Sequence, residues 1–240
     1  MIPPIVREHD GVSVIRDDLY PGGTKARFMP VLFEGANEAV YASPAEGGAQ
    51  TALATVAKEF GKRATIFVAA RAKLHPRTLE AARLGAKVVP VRPGYLSVVQ
   101  ARAKDYAKTS GARLVPFGVD LPEAITCLAE AALATGLDPD EVWCAAGSGV
   151  LARALALAWP RARRHVVQVG RELEAKEVAN ATIHIYPRPF SDVAKTLPPF
   201  PSDPHYDAKA WEVLGLDPGM TARKGPGRVV FWNVAEPARP

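Results

Sequence analysis

Lys25 follows a Pro21-Gly22-Gly23 turn in the segment RDDLYPGGTKAR. Taken alone, a lysine beside a glycine turn is a solvated surface residue. An amine there becomes a nucleophile toward a carbonyl when burial lowers its pKa, and the turn itself lets the backbone approach a ligand closely. A second group lies in YASPAEGGAQTALA (41–54), where Ser43, Glu46, Gly47, Gly48 and Gln50 run from a strand into a helix start. These residues can line a flat ring, and Ser and Glu at such a place are also ordinary helix-capping signals. In VWCAAGSGVLARAL (142–155) an apolar strand, Gly147-Ser148-Gly149 and a helix follow one another. Backbone N–H groups and the positive end of a helix dipole then converge on one point, which suits an anion such as phosphate. Late in the chain, Tyr206 can serve as an acid, base or stacking group, and Asn233 can hydrogen-bond a heteroaromatic nitrogen.

The elements that position these residues follow from hydropathy. Strands are expected at 39–43, 64–70, 87–92, 113–118, 141–146, 165–169, 181–187 and 228–234, and in 12–28 a short β-like run leads into the glycine turn. Helices are expected at 49–60, 76–85, 96–109, 121–135 and 150–158. Apolar strands alternating with helices imply an α/β fold, with parallel sheets covered by helices on both faces. Ligands in such folds bind where strand carboxyl ends enter loops. The proline-rich TLPPFPSDP (196–204) reads as an ordered loop.

The 240 residues suit one large domain or two lobes, and 48% hydrophobic with 23% charged residues suits a buried core. No run approaches the roughly 18–20 apolar residues that span a bilayer, and MIPPIVREHDG has neither the basic start nor the apolar run of a signal peptide. A cytosolic protein with no membrane partner is expected. The scattered histidines (His9, His75, His165, His184, His205) include no HxxxH or HxH pair, so no metal site is expected. Cys127 and Cys144 fall in apolar elements and read as core thiols. The net charge of +5 is compatible with anionic ligands or nucleic acid.

Taken in order, these segments resemble fold-type II pyridoxal 5′-phosphate (PLP) enzymes of the tryptophan synthase β superfamily. The likeness is strongest to the aminocyclopropane-carboxylate deaminase and D-cysteine desulfhydrase branch. It rests on Arg16-Asp17-Asp18-Leu19, Gly22 to Arg27, Ser43 to Gln50, AARLGAKVV (81–89), Ala146 to Leu151 and Asp203 to Ala210, and covers about residues 12 to 235. The resemblance implies a tryptophan synthase β-like fold: two lobes with the cofactor cleft between them. A small lobe at about 41–115 would be inserted between 12–40 and 116–235, the whole forming one compact unit over 1–240.

By the same resemblance Lys25 is the Schiff-base lysine and proton shuttle, and Gly147, Ser148 and Gly149 bind the cofactor phosphate. Ser43, Glu46, Gly47 and Gln50 lie near the ring and the substrate carboxylate, Tyr206 beside the cofactor, and Asn233 at the pyridine nitrogen. A neutral partner there favours elimination and deprotonation over transamination. Glu46 stands where the family has asparagine. The implied activity is lyase or deaminase chemistry on an amino acid or amino-acid-like amine, in a homodimer.

Two further readings attach to the same residues. The short chain and basic charge resemble phage-encoded PLP proteins of DNA hypermodification, which would remodel or decarboxylate an amino acid attached to a thymine base. VIRDDLYPGGT also resembles the phosphoribosyl-diphosphate loop of phosphoribosyltransferases, in which the two acids contact ribose hydroxyls.

Overall fold

Asp10 and Gly11 both take positive φ (51° and 73°), the geometry of a two-residue hairpin turn that Asp-Gly favours. They join β1 (Val6–His9) to β2 (Val12–Arg16), the only antiparallel pairing among the described strands. The computed structural model describes residues 2–218, 220 and 225–238. Positions 1, 219, 221–224 and 239–240 of the expected lobes therefore lie outside the described residues.

The chain divides into two compact units. One joins the residues up to Thr24 with Leu121–Pro237, and the other is formed mainly by Lys25–Asp120.

The first unit holds a six-stranded sheet. Its order is β1-β2-β10-β7-β8-β9, with β7 at Glu141–Ala146, β8 at Arg163–Gln168, β9 at Thr182–Ile185 and β10 at Val229–Asn233. From β2 to β9 every pairing is parallel. β2, β7 and β10 are buried throughout, as strands covered on both faces must be. The helices of this unit are α4 (Pro122–Leu133), α5 (Val150–Ala158) and α6 (Asp207–Gly215). α6 lays Ala210, Trp211 and Leu214 against a core containing Trp143, Val167, Tyr186, Phe200 and Phe231.

The second unit holds a parallel four-stranded sheet in the order β5-β4-β3-β6. The strands are β3 (Glu38–Ala42), β4 (Arg63–Ala69), β5 (Lys87–Val91) and β6 (Arg113–Leu114). Its helices are α1 (Ala49–Glu59), α2 (Pro76–Arg83) and α3 (Leu96–Ser110). Val40, Phe67, Val91, Val99 and Ala103 form its core.

Three expectations need correction. The strand expected at 113–118 stops at Leu114, and after Pro116, which has no N–H for a ladder, the chain forms a short turn at Phe117–Val119. The hairpin strand β1 and helix α6 were not anticipated. Cys127 on α4 is partly exposed, and only Cys144 is buried.

Candidate active site

Lys25 inherits its place from Thr24. The Thr24 hydroxyl donates to Asp17 Oδ2 at 2.9 Å and accepts from Trp232 Nε1 at 2.9 Å, while its N–H donates to the Val234 carbonyl at 2.9 Å. Gly23 makes this approach possible. Its φ is +72°, and a Cβ there would stand 2.5 Å from Val234 O. The glycine turn therefore serves contact with the end of β10, where the sequence suggested contact with a ligand. Arg16 and Asp18 form a buried pair at 2.6 Å, and Arg16 lies over the Phe200 ring at 5.1 Å. Both acids of the RDDL segment are thus engaged inside the protein, which removes them from the ribose contacts of a phosphoribosyltransferase loop. Lys25 itself is half-buried and is the second residue of a one-turn 3-10 helix, Thr24–Arg27.

Parallel register places Arg16, Asn233 and Ala146 at the same, carboxyl edge of the first unit's sheet. From β7 the chain passes through Gly147 and Ser148 to Gly149, the N-cap of α5, which has φ +79° and provides no side-chain cap. The first N–H groups of α5 therefore lack the usual side-chain partner, as an anion site requires. Gly149 has a packing reason as well: a Cβ there would meet Glu177 O at 2.0 Å. Gly147 donates its N–H to the Tyr206 hydroxyl, and a Cβ on Gly147 would touch the Tyr206 ring at 3.6 Å. Burial, reinforced by Asp207, holds the Tyr206 hydroxyl far above its ordinary pKa, so it is a neutral phenol.

One residue of this edge had not been singled out. Asp207, the first residue of α6, is fully buried. Its Oδ2 accepts from the Val234 N–H at 3.1 Å, while Oδ1 has no protein partner. Burial, with the charges of Asp203 and Asp18, pushes this carboxyl well above the usual carboxylate range. Asn233, next to Val234, is equally buried and donates through Nδ2 to Pro201 O at 2.8 Å, leaving Oδ1 unpartnered. Ser202 Oγ and His205 Nδ1 are also buried without partners. A buried polar atom without a partner is costly, so four within a few residues of one strand end mark a place built for a polar ligand. The sequence signal was available: an acid directly after the tyrosine of a DPHY segment.

In the second unit the loop after β3 is tied down from within. Ser43 is buried and its hydroxyl donates to Pro44 O at 2.8 Å, so it does not cap α1. The N-cap is Gly48, without a side-chain bond. Gln50 Nε2 donates to Ala45 O at 2.8 Å, and its Oε1, like Thr51 Oγ1, is buried without a partner. Gly47 lies close under the Ser43 hydroxyl, since a Cβ there would be 3.2 Å from Oγ. Glu46 pairs with Arg71 at 3.7 Å, and both side chains are partly open to solvent.

Two histidines that are distant in sequence meet elsewhere. His165 Nδ1 and His184 Nε2 are 3.0 Å apart, and the His165 ring stacks on Trp143 at 4.2 Å. Among the described residues, no group of three or more His, Cys, Asp or Glu side chains could hold a metal ion, and no helix is long and apolar enough to cross a membrane.

In the first unit, an uncapped helix start for an anion and buried, unpartnered oxygens for a heteroaromatic nitrogen fit a phosphorylated heteroaromatic group. Residues 7–199 match the family described as pyridoxal-phosphate dependent enzyme. No curated protein sequence matches significantly. Among solved structures, the chain is similar to an ACC deaminase homologue, at 18% identity and a TM-score of 0.79, covering 98% of this chain and 90% of that one. It is similar to diaminopropionate ammonia lyase of Escherichia coli, at 15% identity and 0.70, covering 98% and 83%. It is also similar to maize serine racemase, at 13% identity and 0.72, covering 99% and 88%. At these identities the likeness is one of fold, and that fold is the tryptophan synthase β-like one.

Proposed function

The chain belongs to the pyridoxal-phosphate-dependent enzymes, and from that premise we propose that it holds its cofactor, PLP, on Lys25 and acts on an amino acid or amino-acid-like amine by elimination or deamination. The deaminase, ammonia-lyase and racemase names of the similar structures support an α-amino substrate. The observation that carries the reading is the first unit's carboxyl edge, where the uncapped start of α5, the Tyr206 hydroxyl and the open oxygens of Asp207 and Asn233 come together.

When bound, the cofactor supplies an electron sink for charge developing on the substrate's α-carbon. The protein's own residues do the rest. The N–H groups at Ser148, Gly149 and the start of α5 would hold the phosphate. Asp207 and Asn233, whose Oδ1 atoms have no protein partner, would face the ring nitrogen. Lys25 would anchor the cofactor covalently and would carry a proton to or from the substrate's α-carbon. The Thr51 hydroxyl at the start of α1, which has no protein partner, would donate to a substrate carboxylate, with Ser43 and Gln50 in the same segment.

The test is a visible spectrum of the purified protein, borohydride reduction and peptide mapping, followed by ammonia and keto-acid assays over a panel of D- and L-amino acids. Label on Lys25, and its loss in Lys25→Ala with a roughly 10²–10⁴-fold fall in turnover, is the expected result. Undiminished colour and labelling in Lys25→Ala would sink the proposal.

A further inference from the structure

Lys209 is a fully buried lysine whose ammonium donates to the backbone carbonyls of Pro189 (2.9 Å) and Phe190 (3.3 Å). The same ammonium sits over two aromatic rings, Tyr186 at 4.9 Å and Phe190 at 5.5 Å. A buried ammonium is expensive unless its protons are satisfied, and here carbonyl oxygens and ring faces do so. Burial lowers the Lys209 pKa, with Asp192 opposing. Such an arrangement fixes the backbone at 189–190 and the Phe190 ring together.

Phe190 leads back to the candidate active site. Its ring meets Tyr206 edge-on, with centroids 6.5 Å apart at 78°, and lies 3.9 Å from where a Cβ on Gly170 would be. Tyr206 in turn contacts Gly147 by ring and hydroxyl. Tyr206 and Lys209 are three residues apart at the start of α6, so one helix turn carries both the tyrosine and the cation that fixes the tyrosine's packing partner. Glu212, a further turn-spaced residue, accepts from Lys195 N, Thr196 N and the Tyr186 hydroxyl, and secures the rest of the proline-rich segment to the same helix.

We propose that Lys209 is a positioning residue that acts through Phe190 to hold the Tyr206 hydroxyl on Gly147 of the phosphate loop. This rests on the reading of Gly147–Gly149 as that loop. The Lys209 ammonium contacts Pro189, Phe190 and Tyr186. It sets how well the loop takes a phosphate, and has no bearing on how well Lys25 captures an aldehyde.

The experiment compares PLP with pyridoxal, which has the aldehyde and ring but no phosphate, in titrations of wild type, Lys209→Met and Lys209→Ala. Thermal unfolding and hydrogen exchange of 188–206 are measured without cofactor. The expected result is a roughly tenfold to hundredfold loss of PLP affinity, the scale of a charge-assisted hydrogen bond, with pyridoxal unchanged and faster exchange in 188–206. Propylammonium should restore PLP binding to Lys209→Ala by refilling the cation cage. Equal losses for both aldehydes, or no loss in a folded Lys209→Met protein, would overturn the proposal. If neither lysine variant folds, Phe190→Leu keeps the ammonium and its carbonyls while removing the ring from Tyr206, and must show the same selective loss. A wild type that binds PLP no better than pyridoxal refutes the phosphate-loop reading, and this inference with it.

Discussion

Trp232 Nε1 stands 2.9 Å from Thr24 Oγ1, although 208 residues separate them in sequence. The same hydroxyl donates to Asp17, so both of its hydrogen-bonding roles are used and its rotamer is fixed. Thr24→Val keeps the shape but removes one hydrogen bond from the buried indole N–H and one from the Asp17 carboxylate. The expected cost is about 1–3 kcal/mol of stability, together with slower incorporation of label at Lys25. A denaturant titration and timed borohydride trapping measure the two effects. Unchanged values for both would mean that Thr24 does not position Lys25.

Gly149→Ala should be far more damaging than an ordinary glycine replacement. The added Cβ would meet the Glu177 carbonyl at 2.0 Å in a φ +79° conformation, so α5 or the Ala175–Val178 turn has to move. Loss of several kcal/mol, or of soluble protein, is expected. Gly48→Ala, with nothing within 4 Å of the new methyl, is the tolerated control. Similar melting temperatures for the two variants would contradict this packing account.

Acid should weaken the first unit through His184. Burial holds its pKa below the ordinary value of 6.5, against the raising influence of Asp217 and Glu141. The unfolded chain therefore takes up a proton at a higher pH than the folded one. The stability concerned is fully present above about pH 6.5 and is lost as pH falls from there toward the lower folded value. Unfolding midpoints measured between pH 8 and 5 should fall, and His184→Gln should flatten the profile. An identical slope in the variant would assign the effect to other groups.

Glu46 and Arg71 should behave as a compensated pair. Arg71→Ala leaves the carboxylate unneutralised in the loop proposed to line the ring, and cofactor affinity should fall by roughly twofold to fivefold, the range of a partly exposed ion pair. Glu46→Gln in the same background should restore it. If the double variant binds no better than Arg71→Ala, the charge of Glu46 is irrelevant to the cofactor.

Much of this fold is legible in the sequence because parallel strands buried on both faces are continuous apolar runs. EVWCAA (141–146) and RVVFWNV (228–234) matched their strands within a residue or so. β1 escaped because VREH carries little apolar signal, although the Asp-Gly turn beside it was a usable clue. α6 escaped because its buried face includes Asp207 and Lys209, two charged types that hydropathy assigns to solvent. The candidate site follows the same pattern. The segments around Lys25 and Gly147 could be read from local order, but which acid lies beside Asn233 depends on a strand end and a helix start meeting in space. The histidine pair was invisible for the same reason: 19 residues separate its members, and only the sheet register joins them.

The sheet order also sets a timetable for synthesis. β2 emerges from the ribosome early, but its parallel partner β10 is made more than 200 residues later. Throughout that interval β2 has only the β1 hairpin beside it, and Thr24 has neither Trp232 nor Val234 to hold it. The Lys25–Asp120 stretch is continuous and can collapse meanwhile on its own contacts. Long-range closure of this kind is slow, and the lysine waits for it. On the role proposed for Lys25, aldehyde capture is thereby deferred until β10 has been made.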